Sequence, residues 1–207
     1  MIVHPHAPIR PSDAELSNIA TLDAIYAARP IVEELSRETD RTVGLTVWGN
    51  LGPTLIWWCE SSQPLETQLR CGLVVSMLGS ASGAVFCAFA SREVTTPFIE
   101  RENAEAVKGG KKPRFGTRDQ FERWRDEVQL TRLGSMINSA TPGIHDALVT
   151  AFSAPVFDSH GEIVLAIVMM GPGDSFHAKD PAVSRLQETA DALSARLGHV
   201  VGPAVPR

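Results

Sequence analysis

A run without a single charged residue extends from Cys71 to Ser91, and at its centre stands Gly79-Ser80-Ala81-Ser82-Gly83. Small residues and hydroxyls packed this closely could do one of several jobs. A serine nucleophile needs G-x-S-x-G on a strained strand-to-helix turn. Here Ala81 holds the middle position, and Ser80 and Ser82 only flank it. Partners for a triad are not assignable either, because His145 with Asp146 and His160 with Asp158 both sit in turn-like contexts. A phosphate loop would end in G-K-[ST] and use the lysine against the phosphates. The run has no lysine. What the pattern does allow is a helix N-terminus lining a pocket. Its first N–H groups lack partners and carry partial positive charge, so a carboxylate can sit there without lysine or arginine. Close packing of a helix on a sheet wants the same small residues, and both readings stay open on the residues alone.

Other candidate chemistry is sparser. Cys87 lies among Val85, Phe86 and Phe89, where apolar burial would keep the thiol protonated and inert. Cys59 follows two tryptophans and has no evident base. With Cys71 these make three cysteines without C-x-x-C spacing, which reads as reduced thiols rather than a disulfide framework. His4 and His6 alternate in the N-terminal tail, and His145, His160, His177 and His199 are scattered, so no metal-ligand spacing arises. Residues 106–118 hold five basic residues and no acid, but lack the strand and helix flanks of an anion site. They read as a solvated loop.

These residues must be positioned by the surrounding elements. Ser12 caps a first helix, with Glu15 three residues on and Leu16, Ile19 and Leu22 at helical spacing. A second helix follows from Leu22 to Thr39, with Pro30 predicting a kink or restart near Ala28. Alternation in 42–49, the turn at 50–53 and the apolar run from Thr54 predict a hairpin over 42–60. Leu65, Thr67 and Leu69 alternate as a third strand, and "SREVTTP" (91–97) reads as a loop. A helix over 119–133 would bury Phe121, Trp124 and Val128. Residues 149–173 read as two apolar strands around "DSHGE". Asp180 and Pro181 open a last helix with Val183, Leu186, Ala190, Leu193 and Leu197 on one face. Strands joined by hairpins imply an antiparallel sheet with packed helices, an α+β domain.

Composition narrows the class. A chain of 207 residues with 43% hydrophobic and 21% charged residues can bury a core as one domain. Its net charge of −5 disfavours nucleic-acid binding by this chain alone. Gly79, Ser80, Ser82 and Gly83 interrupt the uncharged run, so it does not supply the roughly 20 apolar residues of a membrane span. The N-terminus has prolines and histidines where a signal peptide needs an apolar stretch. The expectation is a cytoplasmic protein without cofactor or metal.

Four stretches in this order resemble the effector-binding domain of IclR-type transcriptional regulators. They are "ARPIVEELSRETDRTVGLTVW" (28–48), "LIWWCESSQPLETQLRCG" (55–72), "GSASGAVFCAF" (79–89) and "VTAFSAPVFDSHGEIVLAIVMMGP" (149–172). The resemblance covers about residues 20–199. It implies a GAF/profilin-like curved antiparallel sheet with a pocket for a small organic effector. It also implies assembly as a homodimer or tetramer, and DNA contact only through a winged-helix domain expected to be absent from this chain. On this reading residues 1–11 are a flexible N-terminus, 12–27 a linker helix, 28–200 the effector-binding domain and 201–207 a tail. The family's pocket positions fall on Val75, Met77, Ser80, Ala81, Ser82, Val149, Ala151, Val168 and Met170, with a polar position at Asn138 or Thr141. Val168 and Met170 stand where family members often carry serines, which implies an apolar pocket for a larger or aromatic carboxylic acid. Two other readings compete. One is a small cytosolic enzyme on the same scaffold using Cys59 or Cys87. The other is a ligand-free dimerisation module whose pocket is filled by Met77, Met170 and Trp57.

Overall fold

The computed structural model describes residues 13–141 and 144–200, with side chains described for 21–141, 144 and 146–200. The expectations for residues 1–12 and 201–207 lie outside the described residues, as do those for the side chains of Glu15, Leu16, Ile19 and His145. Helix α1 spans Asp13–Thr39 without interruption and passes through Pro30, so the expected restart near Ala28 does not occur. The reason is packing. Ala24, Ala28, Val32 and Leu35 form one buried stripe on both sides of Pro30. Burying a Val or Leu side chain stabilises by ~1.5–3 kcal/mol each, against ~3 kcal/mol for a mid-helix proline.

Five strands follow the order β2-β1-β5-β4-β3, and all pairs are antiparallel. They are β1 (Thr42–Gly49), β2 (Gly52–Cys59), β3 (Gly134–Thr141), β4 (His145–Phe157) and β5 (Ile163–Pro172). The hairpins β1–β2 and β4–β5 arise where alternation and turn residues place them. Asp158 closes the second turn by accepting from the N–H groups of His160 and Glu162, with Gly161 at φ +79°. One sheet face carries Val43, Leu45, Phe152, Ala154, Leu165, Ile167 and Met169 against α1 and α5 (Pro181–Arg196). Asp180 caps α5 by accepting from Ala182 N–H at 2.9 Å, and Pro181 occupies its first turn.

The opposite face carries α2 (Ala81–Phe89), and beyond it α3 (Arg92–Lys108) and α4 (Arg118–Thr131). Four elements differ from expectation, the first being β3, which was not among the expected strands. The third strand does not form; residues 64–72 are an irregular strap whose Leu65 and Leu69 turn inward together. Only residues 72–75 approach the sheet, where Leu55 N–H donates to Leu73 O and Val75 N–H to Pro53 O. The expected loop 91–97 is instead the start of α3, capped by Ser91, with Pro97 tolerated in its second turn. The basic segment also does more than face solvent. Phe115 packs edge-on against Phe121, and the Arg114 guanidinium lies 5.1 Å from the Trp124 ring centre.

Candidate ligand site

The cavity in this fold follows from the small residues on the α2 face of the sheet. Gly44, Val168, Ser153 and Gly134 are cross-strand neighbours on four successive strands. A row this thin lets α2 settle on the sheet: a Cβ at Gly134 would overlap the carbonyl oxygen of Ala81. The next row, Thr42, Met170, Ala151 and Met136, is bulkier and lies beyond the N-terminus of α2. Between this row, the helix start and the strap is a cavity of about 90 Å³. None of its lining residues among those described is charged.

A bulge completes the wall. Leu45 faces Trp57 and Thr46 faces Leu55, so Ile56 is the extra residue on β2. Without it, Leu55 and Trp58 would project to opposite faces. With it, both join Val168, Met170 and Ala151 around the cavity, while Ile56 and Trp57 stay on the α1 side. The Trp58 ring closes down over Gly44, where a Cβ would lie 3.2 Å from its edge.

The start of α2 is tied from several directions. Ser80 is the N-cap; its hydroxyl accepts from Gly83 N–H at 2.9 Å and donates to Ser76 O at 2.6 Å. Ser82 is buried, and its hydroxyl is shared with Thr46 Oγ1 at 2.7 Å above the sheet. The N–H groups of Ala81 and Ser82 have no hydrogen-bond partner among the described residues. Both residues line the cavity. The other end of α2 is held by α4: Arg125 donates to the carbonyls of Cys87 and Ala88, and Gln129 donates to Ala88 O. A cation at the C-terminal carbonyls reinforces the helix dipole. Among the described residues, the one positive pole in the cavity wall is therefore a helix terminus.

The expected pocket residues separate into two groups. Val75, Ser80, Ala81, Ser82, Thr141, Ala151, Val168 and Met170 line this cavity together. Met77 does not: it is buried with Leu78 and Cys87 against Trp48, Phe98 and Trp124, on the α3–α4 side. Val149 packs behind Ala151 and Met170 without reaching the cavity. Asn138 is exposed at a break in the β3 register, in the left-handed region at φ +46°, where its N–H donates to Thr150 Oγ1. Thr46, Leu55, Trp58, Leu69, Ser76, Met136 and Ile144 are lining residues that sequence reasoning did not reach. Only Thr46 had a legible signal, since it falls on the polar phase of the β1 alternation.

The structure separates the residues invoked by the competing readings. Of the three side chains expected to fill a collapsed pocket, only Met170 borders the cavity; Trp57 lies under the Arg29 guanidinium on the other face. At Cys59 and Cys87 burial outweighs the nearby cations, Arg29 at the first and Arg114 and Arg125 at the second. Burial pushes the Cys87 thiol up to about 12, and burial also raises Cys59. At pH 8, iodoacetamide should label the exposed Cys71 and leave Cys87 untouched until the protein unfolds, as read by mass spectrometry. The same shift has a stability consequence. From pH 9 to about 12 the unfolded chain loses a proton that native Cys87 keeps. Stability should then fall with a limiting slope of about 1.4 kcal/mol per pH unit, fully present below pH 9. Chemical denaturation of Cys87→Ala across that range should show a shallower decline.

Residues 16–195 match the family described as the bacterial transcriptional regulator IclR C-terminal. Among solved structures, the chain superposes on HmgR from Pseudomonas aeruginosa with a TM-score of 0.73 and 26% identity, covering 92% of this chain and 78% of that one. IclR from Thermotoga maritima gives 0.68 at 17% identity, covering 90% and 74%. The C-terminal domain of the E. coli regulator KdgR gives 0.64 at 20% identity, covering 86% and 99%. No curated protein matches. No helix among the described residues is long and apolar enough to cross a membrane. With 180 residues matched, 16 through 195, the chain belongs to the IclR C-terminal family, the effector-binding domain of bacterial transcriptional regulators.

Proposed function

We propose that this domain senses a small carboxylic acid with an apolar or aromatic body, bound between the start of α2 and the Met170 row of the sheet. The observation that carries this reading is a cavity with no charged side chain among its described lining residues, whose one positive feature among them is the pair of unpartnered N–H groups at Ala81 and Ser82. A carboxylate there would complete the first turn of α2. The Trp58 ring, Leu69, Met136, Val168 and Met170 would cover the body of the ligand. The cavity volume of about 90 Å³ is below the ~300 Å³ at which ligand pockets usually begin. A single-ring acid therefore requires the strap carrying Leu69 to move outward, away from Val75, which stays bonded to Pro53 of β2. That strap makes few ladder bonds, which keeps the movement inexpensive.

Ligand binding would bias the geometry between copies of the chain in a dimer or tetramer, and α1 would pass that bias toward a DNA-binding domain. A single ligand can shift such an equilibrium only by its difference in affinity for the two states. The test is a ligand panel. Benzoate and phenylacetate should change the intrinsic fluorescence through Trp58 and raise the melting temperature. Glyoxylate and pyruvate should do neither. Stabilisation by the two short keto acids, with none by the aromatic acids, would overturn the reading.

A further inference from the structure

The rim of the cavity is built by side chains that stand outside it. Glu102, half-buried on α3, accepts from Met77 N–H at 2.8 Å and from Leu78 N–H at 3.2 Å, and it also accepts a hydrogen bond from the Ser76 hydroxyl. Arg114, from the segment between α3 and α4, donates to Leu78 O. Two side chains of opposite charge thus grip one stretch of backbone, one at its donors and the other at its acceptor. Ser76 carries the restraint onward. Its Oγ accepts from Gly79 N–H at 2.5 Å, and its carbonyl accepts from the Ser80 hydroxyl, which caps α2. The chain of bonds runs from Glu102 through Ser76 to the residue that sets where the Ala81 and Ser82 N–H groups lie. Neither Glu102 nor Arg114 lines the cavity.

We infer that Glu102 and Arg114 are positioning residues for the effector site, fixing the Ser76–Ser80 rim so that the start of α2 presents its N–H groups to a carboxylate. The inference deepens the proposed function and rests on it for the ligand class. It has a consequence that plain electrostatics does not share. Glu102 is an anion close to the place where an anionic ligand would sit. If it acted only through space, removing its charge would tighten carboxylate binding. If it positions the rim, removing the charge weakens binding, because an amide is a poorer acceptor for three donors at once.

The test uses the full chain, with phenylacetate and its neutral analogue phenylacetamide as probes in fluorescence titrations. Glu102→Gln should raise the Kd for phenylacetate about tenfold and leave that for phenylacetamide within about twofold. Arg114→Gln should act in the same direction. Amide hydrogen exchange at Met77, Leu78 and Gly79 should accelerate by about tenfold or more in both variants, while the β5 amides stay protected. Tighter or unchanged phenylacetate binding in Glu102→Gln overturns the inference, and so does unchanged exchange at the rim. If Glu102→Gln does not fold, Glu102→Asp serves in its place; it keeps the charge but is one methylene short, so positioning still expects weaker binding. Should the wild type bind neither probe, the proposed ligand class fails, and the exchange at the rim alone decides the positioning role.

Discussion

Gly83→Ala should destabilise the domain by about 3 kcal/mol, within the upper range for overpacking a tight contact. In a chain of this size that lowers the melting temperature by roughly 6–12 °C. Local propensity expects the opposite sign. Gly83 is in the first turn of α2, and replacing a helical glycine with alanine ordinarily stabilises by about 0.5–1 kcal/mol. The tertiary contact outweighs this, because a Cβ at Gly83 would overlap the carbonyl oxygens of Ser76 and Met77. Those carbonyls cannot retreat easily, since Ser76 O accepts the Ser80 hydroxyl and the adjoining N–H groups are held by Glu102. Gly110→Ala is the control. Its φ of +74° makes alanine strained, but nothing lies within 4 Å of the new Cβ, so only about 1 kcal/mol should be lost. Thermal denaturation of the two variants separates the mechanisms. A Gly83→Ala protein as stable as the wild type would mean that α2 does not press on the 76–77 backbone as described.

Val168→Phe should abolish carboxylate binding while sparing the fold. Val168 is on the central strand of the cavity floor, flanked by Gly44 on β1 and Ser153 on β4. Val168 packs beside Ala81 at the start of α2 and borders the cavity, so a ring at 168 would extend past that helix start into the cavity. Affinity for phenylacetate should drop by about 100-fold or more, equivalent to roughly 2.8 kcal/mol. The melting temperature should shift by no more than a few degrees, because the change fills space that is already there. Retained affinity in a folded Val168→Phe protein would place the ligand elsewhere.

Much of this was legible from local pattern. The sheet strands β1, β2, β4 and β5 and the last helix follow from alternation, turn residues and caps, whose causes lie within a few residues of each other. A helix start near Ser80 was one of two readings its small residues left open, and the Ser80 hydroxyl accepting from Gly83 N–H is the local bond that makes it one. Where local signals conflicted with burial, burial decided. Pro30 did not divide α1 because the buried stripe continues on both sides of it. The expected strand at 64–72 keeps Leu65 and Leu69 on one inward side, as alternation implies, but Gly72 at φ +92° and the attachment of Thr67 and Gln68 to Ile144 O hold the backbone off the sheet.

The sequence by itself determined the uncharged segment and the apolar phases of the strands, because each is set by the chemistry of near neighbours. Tertiary structure alone decided which of those residues meet. A one-residue bulge at Ile56 turns Trp58 into the cavity, and no periodicity in the sequence announces an extra residue in a ladder. Met77 faces the α3–α4 cluster rather than the ligand, because the Glu102 and Arg114 grip fixes its backbone from outside. Glu102 is 26 positions from Ser76, and a contact between residues that far apart exists only once the chain between them has folded.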